Sequence, residues 1–381
     1  MKEELCRFIK ENDAEMRRML RELCVIPAPS YAEDARAAYC KEWLEQNGAT
    51  GVVVDEAKNV LLPLCCEGSN EITVVVSHTD TVFPDTEPMP YREENGRAYC
   101  PGVGDDTASL VVMLMTAKYF LQKGLCPKGG LLFVCNSCEE GLGNLYGTRT
   151  FMAAYAGRVK QFISYDSPRF ETVNDECVGS HRYEVELTTE GGHSYLAFGK
   201  RSAVLSLAEM ISAIYAIDIP QQKGSKTTLN VGTIEGGTSV NTIPQSAKML
   251  CEYRSNNKEC MAFMKAEFER IFRQAECEHT HVTVKMVGDR PCAGDVDPVA
   301  QAALTDTCRA ILEEVAGVQV HFTPSSTDCN IPLSMGIPSL CISVYRGAGM
   351  HTREEYVELD SLSTGLEISI KTMCQLTEVA Q

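Results

Sequence analysis

The sequence predicts an α/β protein with a mixed, mostly parallel sheet flanked by helices, and an α+β ferredoxin-like domain inserted into it. Three short apolar runs carry the first part of this prediction: residues 72–76 (ITVVV), 130–135 (GLLFVC) and 161–165 (QFISY). Runs of this length, rich in β-branched or aromatic residues, are typical of strands buried on both faces. Near residue 179 the pattern changes to alternating strands, which marks the insertion.

Length and composition set broad limits. The 381 residues suffice for two domains, and 44% hydrophobic with 23% charged residues is ordinary for a folded protein. A formal net charge of −17 argues against a nucleic-acid partner or an anionic membrane surface. No apolar run approaches the roughly 20 residues needed to span a bilayer. The charged, amphipathic residues 1–12 are unlike a secretion signal.

The 18 cysteines are scattered along the chain. In the absence of a secretion signal, we expect a reducing cytoplasmic location, with most cysteines acting as small buried hydrophobic residues. Cys135 and Cys138 form a CxxC, but two glutamates follow it and no second CxxC completes a four-sulfur zinc site. A redox or structural-zinc role is therefore not predicted.

The segments around the first apolar run predict alternating helices and strands. Ser30 and Glu33 form a capping-box pattern at the start of a helix that Gly48 ends. Residues 108–121 are apolar almost all round, as in a buried helix. The other elements expected here are one or two helices over 1–26, broken near residue 12, and strands over 52–54 and 59–64.

The later segments divide between two domains. The order β-α-β-β-α-β predicts a two-layer inserted domain over residues 179–289, and residues 1–178 with 290–381 form the first domain. The inserted elements are expected at 181–187, 202–217, 227–234, 247–254, 261–271 and 281–287. The first domain resumes with a helix over 298–315, strands over 318–322 and 339–344, and a helix from 361.

Each of the three apolar runs ends in histidine or acidic residues. His78 and Asp80 close the first, Glu139 and Glu140 follow the second, and Asp166 follows the third. Open α/β sheets bind ligands at the carboxyl ends of their strands. Paired glutamates there are costly to bury unless they bind a cation or share a proton. An isolated His-x-Asp would more simply be a surface histidine beside a turn aspartate, but a nearby carboxylate also supports metal-bound histidines.

Two further segments add metal-binding side chains. Asp105 and Asp106 lie where a glycine loop meets the buried helix, so one is expected to cap the helix while the other is left for different work. His351 follows the last buried strand. Histidine nitrogens with carboxylate oxygens suit zinc, cobalt or manganese, and a pair of metals needs a bridging ligand. The sequence contains neither a GxSxG elbow nor a GxxxxGK[ST] phosphate loop.

Together these motifs resemble the co-catalytic dinuclear zinc exopeptidases and amidohydrolases, a group that includes peptidase T, glutamate carboxypeptidase, aminoacylase and acetylornithine deacetylase. The resemblance extends over essentially the whole chain. The matching pieces, in the group's order, are SHTDTV (77–82), GVGDD (102–106), EEG (139–141), Asp166, GGHS (191–194), NTIP (241–244), EYR (252–254) and GAGMHTREE (347–355). One departure is Thr107-Ala108, where the group commonly has Lys-Gly.

The resemblance implies two zinc ions per chain, or cobalt or manganese in their place. Asp105 would bridge the ions. His78 and Asp166 would complete one site, and Glu140 and His351 the other. The choice of Asp105 over its neighbour comes from the resemblance alone.

Catalytic and substrate-binding roles are implied in the same way. Asp80 would orient a histidine ligand, and Glu139 would be the general base that takes a proton from the attacking water. The inserted domain would act as a lid and dimerisation domain. There, His193 would reach the partner subunit's site, and Asn241 and Arg254 would bind substrate.

The expected activity is hydrolysis of an amide bond in a small peptide that carries a free carboxylate, by a cytoplasmic homodimer. Dipeptidase, tripeptidase and carboxypeptidase remain open, as does the deacylation of an N-acyl amino acid. A non-catalytic binding protein on the same fold is disfavoured, because it would not need a general base. In the lid, a turn histidine at 193 and a surface Arg254–Glu252 pair are the simpler alternatives. A hairpin that joins Asn241 to Arg254 is expected to present both side chains near the inner surface of the lid.

Overall fold

A computed structural model describes residues 2–379 of the chain. The helices are α1 (Lys2–Cys24), α2 (Asp34–Gln46), α3 (Ser109–Lys123), α4 (Tyr146–Ala154), α5 (Ala203–Tyr215), α6 (Lys258–Ala275), α7 (Pro298–Ala316), α8 (Asn330–Ser334) and α9 (Ser361–Leu376). The strands are β1 (Val53–Val54), β2 (Val60–Leu64), β3 (Ile72–His78), β4 (Arg92–Glu94), β5 (Arg97–Tyr99), β6 (Leu131–Asn136), β7 (Val159–Tyr165), β8 (Thr172–Val173), β9 (Gly179–Thr189), β10 (Gly192–His193), β11 (Thr227–Gly236), β12 (Thr242–Ile243), β13 (Ser246–Ser255), β14 (Thr280–Arg290), β15 (His321–Phe322), β16 (Ser339–Ile342), β17 (Gly347–Ala348) and β18 (Tyr356–Glu358).

The contacts between residues divide the chain into two units. The first unit comprises the residues up to Cys177 and from Gly294 onward, and the second unit is Val178–Ala293. The divisions fall near the boundaries expected at 178 and 290.

The first unit is built on a six-stranded sheet with the order β1-β2-β6-β3-β7-β16. Strands β6, β3, β7 and β16 are parallel, while β1 and β2 are antiparallel to their neighbours. Every residue of β3 and β6 is buried, because helices cover the sheet and α3 is itself buried over most of its length. The predicted mixed, mostly parallel sheet is confirmed.

A second sheet of the first unit, β17-β18-β5-β4, was not predicted. The chain between β4 and β5 turns at Asn95 and Gly96, which both have positive φ. An Asn-Gly pair between short strands is a strong signal of a hairpin, and this signal was overlooked. Strands β17 and β18 flank the loop that carries His351.

Two expectations about helix ends were wrong. Helix α1 runs without a break, and Asn12 donates from its side chain to the carbonyl of Phe8 inside the helix at 2.7 Å. Ser30 does not cap α2, since its hydroxyl donates instead to Asp80 at 2.7 Å. Glu33 directly precedes α2, and its carboxylate accepts hydrogen bonds from the backbone N–H groups of Tyr31 and Cys138.

In the second unit, β9, α5, β11, β13, α6 and β14 follow the predicted order, and the two-residue strands β10 and β12, which were not predicted, are added to it. The sheet of this unit is antiparallel with the order β11-β13-β9-β14. Helices α5 and α6 supply buried apolar side chains to a separate core, where Phe268 of α6 packs edge-on against Tyr253 of β13 at 4.8 Å between ring centroids. This aromatic contact fixes the helix against the sheet.

Most cysteines are buried as thiols, as predicted, but Cys65 and Cys126 form a disulfide. Within residues 2–379, no helix combines the length and apolar character required to cross a membrane.

Candidate metal centre

Predicted metal ligands and the predicted general base of the first unit meet at one edge of its sheet. His78 is the last residue of β3, Asp166 directly follows β7, and Glu139 lies three residues beyond β6. Because these strands are parallel neighbours, their carboxyl ends lie side by side. The sheet therefore gathers side chains that are far apart in the sequence.

Asp105 lies between two histidines, with one carboxylate oxygen directed at each. Its Oδ1 is 3.0 Å from Nε2 of His78, and its Oδ2 is 3.0 Å from Nε2 of His351. The same nitrogen of His351 is 3.3 Å from Oε1 of Glu140. A carboxylate placed in this way can bridge two cations, one on each side.

The side chains form three overlapping clusters whose potential ligand atoms lie within 4.8 Å of one another. One cluster contains His78, Asp105 and Asp166, and another contains Asp105, Glu140 and His351. These are the two groups that the resemblance implied for the two metals. The third cluster joins His78 to Glu139 and Glu140.

Asp106 does not cap the following helix, so the expectation that one of the two aspartates would do so was wrong. Its carboxylate accepts a hydrogen bond from the hydroxyl of Ser77 and another from the backbone N–H of His78, the latter at 3.0 Å. The peptide bond between Asp105 and Asp106 is cis. Asp106 thus ties the glycine loop to the end of β3, while Asp105 faces the histidines.

Asp80 holds the turn that carries the glutamate pair. Its Oδ1 accepts from the backbone N–H of Glu139 and its Oδ2 from that of Glu140, each at 3.0 Å. Nδ1 of His78 lies 3.0 Å from the backbone oxygen of Asp80 and 3.4 Å from its Oδ1. Asp80 therefore positions the glutamates as well as the histidine that it was predicted to orient.

Glu355, for which no role was predicted, is buried against the glycine loop. Its carboxylate accepts three backbone hydrogen bonds, from Gly102 at 2.8 Å, Gly104 at 2.9 Å and Asp105 at 2.7 Å. These contacts fix the backbone of the residue suited to bridge the metals. No sequence signal separates Glu355 from the adjacent Glu354, whose side chain is 79% exposed.

The departure at Thr107 is accommodated by a buried arginine. Nη1 of Arg36 donates to Oγ1 of Thr107 at 3.1 Å and to the carbonyl of Thr79 at 3.1 Å. The Thr107 hydroxyl in turn donates to the carbonyl of Gly102 at 2.6 Å. Arg36 therefore links the segment after β3 to the glycine loop.

The electrostatics of the site match a cation-binding centre. Burial, followed by the charge of Asp105, raises the pKa of Glu140 to about 7 and also raises the pKa of the Asp166 carboxyl. Hydrogen bonds that His351 donates to Asp105 and Glu140 raise the pKa of this histidine to about 10. Burial alone would lower the pKa of His78, but its bonds to Asp105 and Asp80 outweigh burial and raise it. Crowded carboxylates with two histidines are a donor set that fits two divalent ions.

In the second unit, His193 and Asn241 lie together. His193 pairs with Thr242 across β10 and β12, and the backbone N–H of Ser194 donates to the carbonyl of Asn241 at 2.9 Å. Nδ1 of His193 accepts from the backbone N–H groups of two following residues at 3.3 and 3.4 Å. A neutral ring with Nδ1 as acceptor carries its proton on Nε2, which can therefore donate.

Arg254 lies at the end of β13 remote from the turn that carries Asn241, so the two residues are separated along the length of the β11–β13 hairpin. Strand β13 begins at Ser246, and eight residues along it to Arg254 span about 26 Å. Nε and Nη2 of Arg254 donate to the two oxygens of Glu252 at 2.8 and 3.0 Å. The pair of Arg254 with Glu252, which is the simpler alternative to substrate binding, is therefore present.

Comparisons with known proteins agree with the site. Residues 74–375 match the model of "Peptidase family M20/M25/M40". Carboxypeptidase G2 from Pseudomonas sp. (strain RS-16) is 24% identical over 340 residues, covering 86% of this chain and 79% of that protein. Succinyl-diaminopimelate desuccinylase from Bordetella bronchiseptica is 23% identical over 322 residues, covering 79% and 82%.

A solved structure has the same fold. The aminopeptidase PepT from Bacillus cereus ATCC 10987 superimposes with a TM-score of 0.72 at 20% identity, covering 96% of this chain and 99% of that one. The resemblance drawn from the motifs is thus confirmed, and the interpretation as a non-catalytic binding protein is set aside. The chain belongs to peptidase family M20/M25/M40 and is a metallopeptidase.

Proposed function

We propose that the chain is a dinuclear zinc exopeptidase that hydrolyses an amide bond in small peptides with a free carboxylate, as a cytoplasmic homodimer. The placement of Asp105 carries this proposal, because its two oxygens each face a histidine at 3.0 Å. His78 and Asp166 on one side, and Glu140 and His351 on the other, would hold the two ions. Cobalt or manganese would suit the same ligands.

Glu139 is the proposed general base. Its side chain is buried, and its backbone is held by Asp80 at the turn next to Glu140. The bound metals would polarise the scissile carbonyl and lower the pKa of the attacking water. The Glu139 carboxylate would accept the proton of that water and pass it to the leaving amine.

The direct test is a metal analysis followed by a substrate panel. We expect two divalent ions per chain and loss of activity with chelators. The panel compares dipeptides, tripeptides and N-acyl amino acids, each as the free acid and as its C-terminal amide. Active, chelator-resistant enzyme without bound metal would contradict the proposal. Equal turnover of acids and amides would contradict the need for a free carboxylate on the substrate.

Deacylation of an N-acyl amino acid is the second candidate activity. The relative from Bordetella bronchiseptica is named a succinyl-diaminopimelate desuccinylase. The same metal centre serves either activity, because both cleave an amide bond. The panel therefore decides between them by comparing kcat/KM for peptides with kcat/KM for acyl amino acids.

Binding of the divalent ions is expected to release protons at pH 7, with an affinity that falls as the pH is lowered. Coordination requires neutral imidazoles, whereas the raised pKa values keep His78 and His351 protonated in the metal-free chain. Calorimetric titration in buffers of different ionisation enthalpy measures the protons released. His351→Ala should reduce that number. A binding enthalpy that is the same in all buffers would contradict the prediction.

His193 is proposed to act on the substrate of the partner subunit, with Asn241 beside it. Arg254 lies about 26 Å along β13 from Ser246, the first residue of the strand, and Asn241 lies in the turn before that residue. A small substrate is therefore not expected to contact both side chains in one chain. A second subunit removes this conflict. The Nε2 proton of His193 would then donate to the oxyanion that forms at the carbonyl.

Mixing His193→Ala chains with Glu139→Gln chains should restore partial activity. In each mixed dimer, one of the two sites would combine an intact Glu139 from one chain with an intact His193 from the other. The measurement is turnover after subunit exchange, verified with differently tagged chains. His281→Ala, which removes an exposed histidine of the same unit that pairs with Glu276, should be active without mixing. Activity that stays at the background of the two mutants would exclude a role for His193 across an interface.

A further inference from the structure

A cleft in the first unit lies outside the proposed metal centre. Its volume is about 590 Å³, and none of the five proposed metal ligands lines it. Its walls come from the segment after β7, the segment that leads into β15, and strands β17 and β18. The function proposed above uses none of these side chains.

The cleft brings two arginines together in a chain whose net charge is −17. Arg169, His321 and Arg346 line it, together with the carboxylates of Glu171 and Glu358. Glu358 is already matched by an arginine outside the cleft, Arg97, at 3.6 Å. The lining therefore contains two guanidinium groups and, besides Glu358, a single carboxylate, that of Glu171.

The two arginines of the cleft are available to a ligand. Within residues 2–379, neither Arg169 nor Arg346 forms an ion pair with a carboxylate of the chain. The guanidinium of Arg346 packs over the ring of Phe170, with 5.2 Å between its central carbon and the ring centroid. Packing of this kind limits the rotamers of the arginine and keeps its N–H groups available.

We propose that this cleft binds a small dianion, a phosphate or a dicarboxylate, through Arg169 and Arg346. A guanidinium matches the two oxygens of either group with parallel hydrogen bonds. Glu171 limits the positive charge of the two arginines, which favours a single small dianion over a polyanion. His321 would add a third donor from the facing strand β15.

The site is close to the metal centre along the chain. Arg169 is three residues beyond Asp166, and Ala348 in the cleft wall is three residues before His351. Three residues span at most about 11 Å. The two segments are joined by a hydrogen bond from the N–H of Gly347 to the carbonyl of Pro168 at 3.0 Å. An anion in the cleft would therefore contact the segments that carry two of the proposed ligands.

The test is a calorimetric titration of the metal-loaded protein with inorganic phosphate and, separately, with succinate. We expect saturable binding of at least one anion that weakens about tenfold or more in Arg169→Gln/Arg346→Gln, which a loss of about 1.4 kcal/mol or more would produce. Arg309→Gln is the matched control, since Arg309 is an exposed arginine of the same unit that pairs with Asp306 on α7. It should bind as the wild type does.

The two anions distinguish between the two kinds of ligand proposed for the cleft. Binding of phosphate alone would identify a phosphate site, and binding of succinate alone a carboxylate site. Any binding retained by the double variant belongs to the metals. The proposal is overturned if the wild type binds neither anion, or if the double variant titrates like the wild type. Should the double variant not fold, Arg169→Gln alone tests the site, because this side chain is exposed. The metal content and peptide turnover of the wild type test the function separately.

Discussion

Replacing Glu139 by glutamine is expected to leave two metals bound and the fold intact, while kcat falls by about 10²–10⁴-fold. General-base catalysis contributes a factor of this size. Glutamine has nearly the same shape, and the bond from its backbone N–H to Asp80 would remain, since that contact does not involve the side chain. The side-chain amide cannot accept and return the proton of the attacking water.

The measurement pairs kcat with the metal content of the purified variant. Glu140→Gln is the matched comparison, because the neighbouring residue has the same chemistry but lies 3.3 Å from Nε2 of His351. It should lower metal occupancy, and activity should recover partly at high metal concentration. If Glu139→Gln loses metal while Glu140→Gln retains it, the two assignments are reversed.

Asp105→Asn is expected to lower metal occupancy from two ions per chain to fewer than one. The carboxylate contacts the nitrogens of both histidines, so its loss removes a ligand and a negative charge from both sites. Residues that only support a metal ligand already change metal affinity by about 10–100-fold, and a shared ligand should exceed that range.

Elemental analysis and metal titration measure this effect, with Glu354→Gln as the control. Glu354 is an exposed acid of the same unit that pairs with Arg92, so its loss changes the net charge equally without touching the site. His351→Ala provides a further comparison, because it should weaken one ion more than the other. Retention of two tightly bound ions by Asp105→Asn would exclude the bridging role.

The sequence predicted the part of the fold that depends on local patterns. The apolar runs before His78, Glu139 and Asp166 became neighbouring parallel strands, because short β-branched runs bury well only in a covered sheet. The side chains at their ends therefore meet at one edge, and the resemblance assigned their roles.

The features of the site that were not predicted depend on contacts between distant segments of the chain. The polar side chains of Ser30 and Asp106 would satisfy helix caps, but both are used instead in bonds to the β3 segment. Glu355 accepts bonds from a loop some 250 positions away in the chain, which no local pattern reveals. The distance between Asn241 and Arg254 follows from the length of β13, which a motif does not encode.

The chain enters the second unit and leaves it again at neighbouring points of the sheet of that unit. Ser180, near the start of β9, is the direct pairing partner of Arg290, the last residue of β14, so their Cα atoms are about 5 Å apart. The chain therefore enters and leaves the second unit through adjacent backbone positions. An insertion with adjoining ends can be gained, exchanged or lengthened during evolution without rerouting any strand of the host sheet.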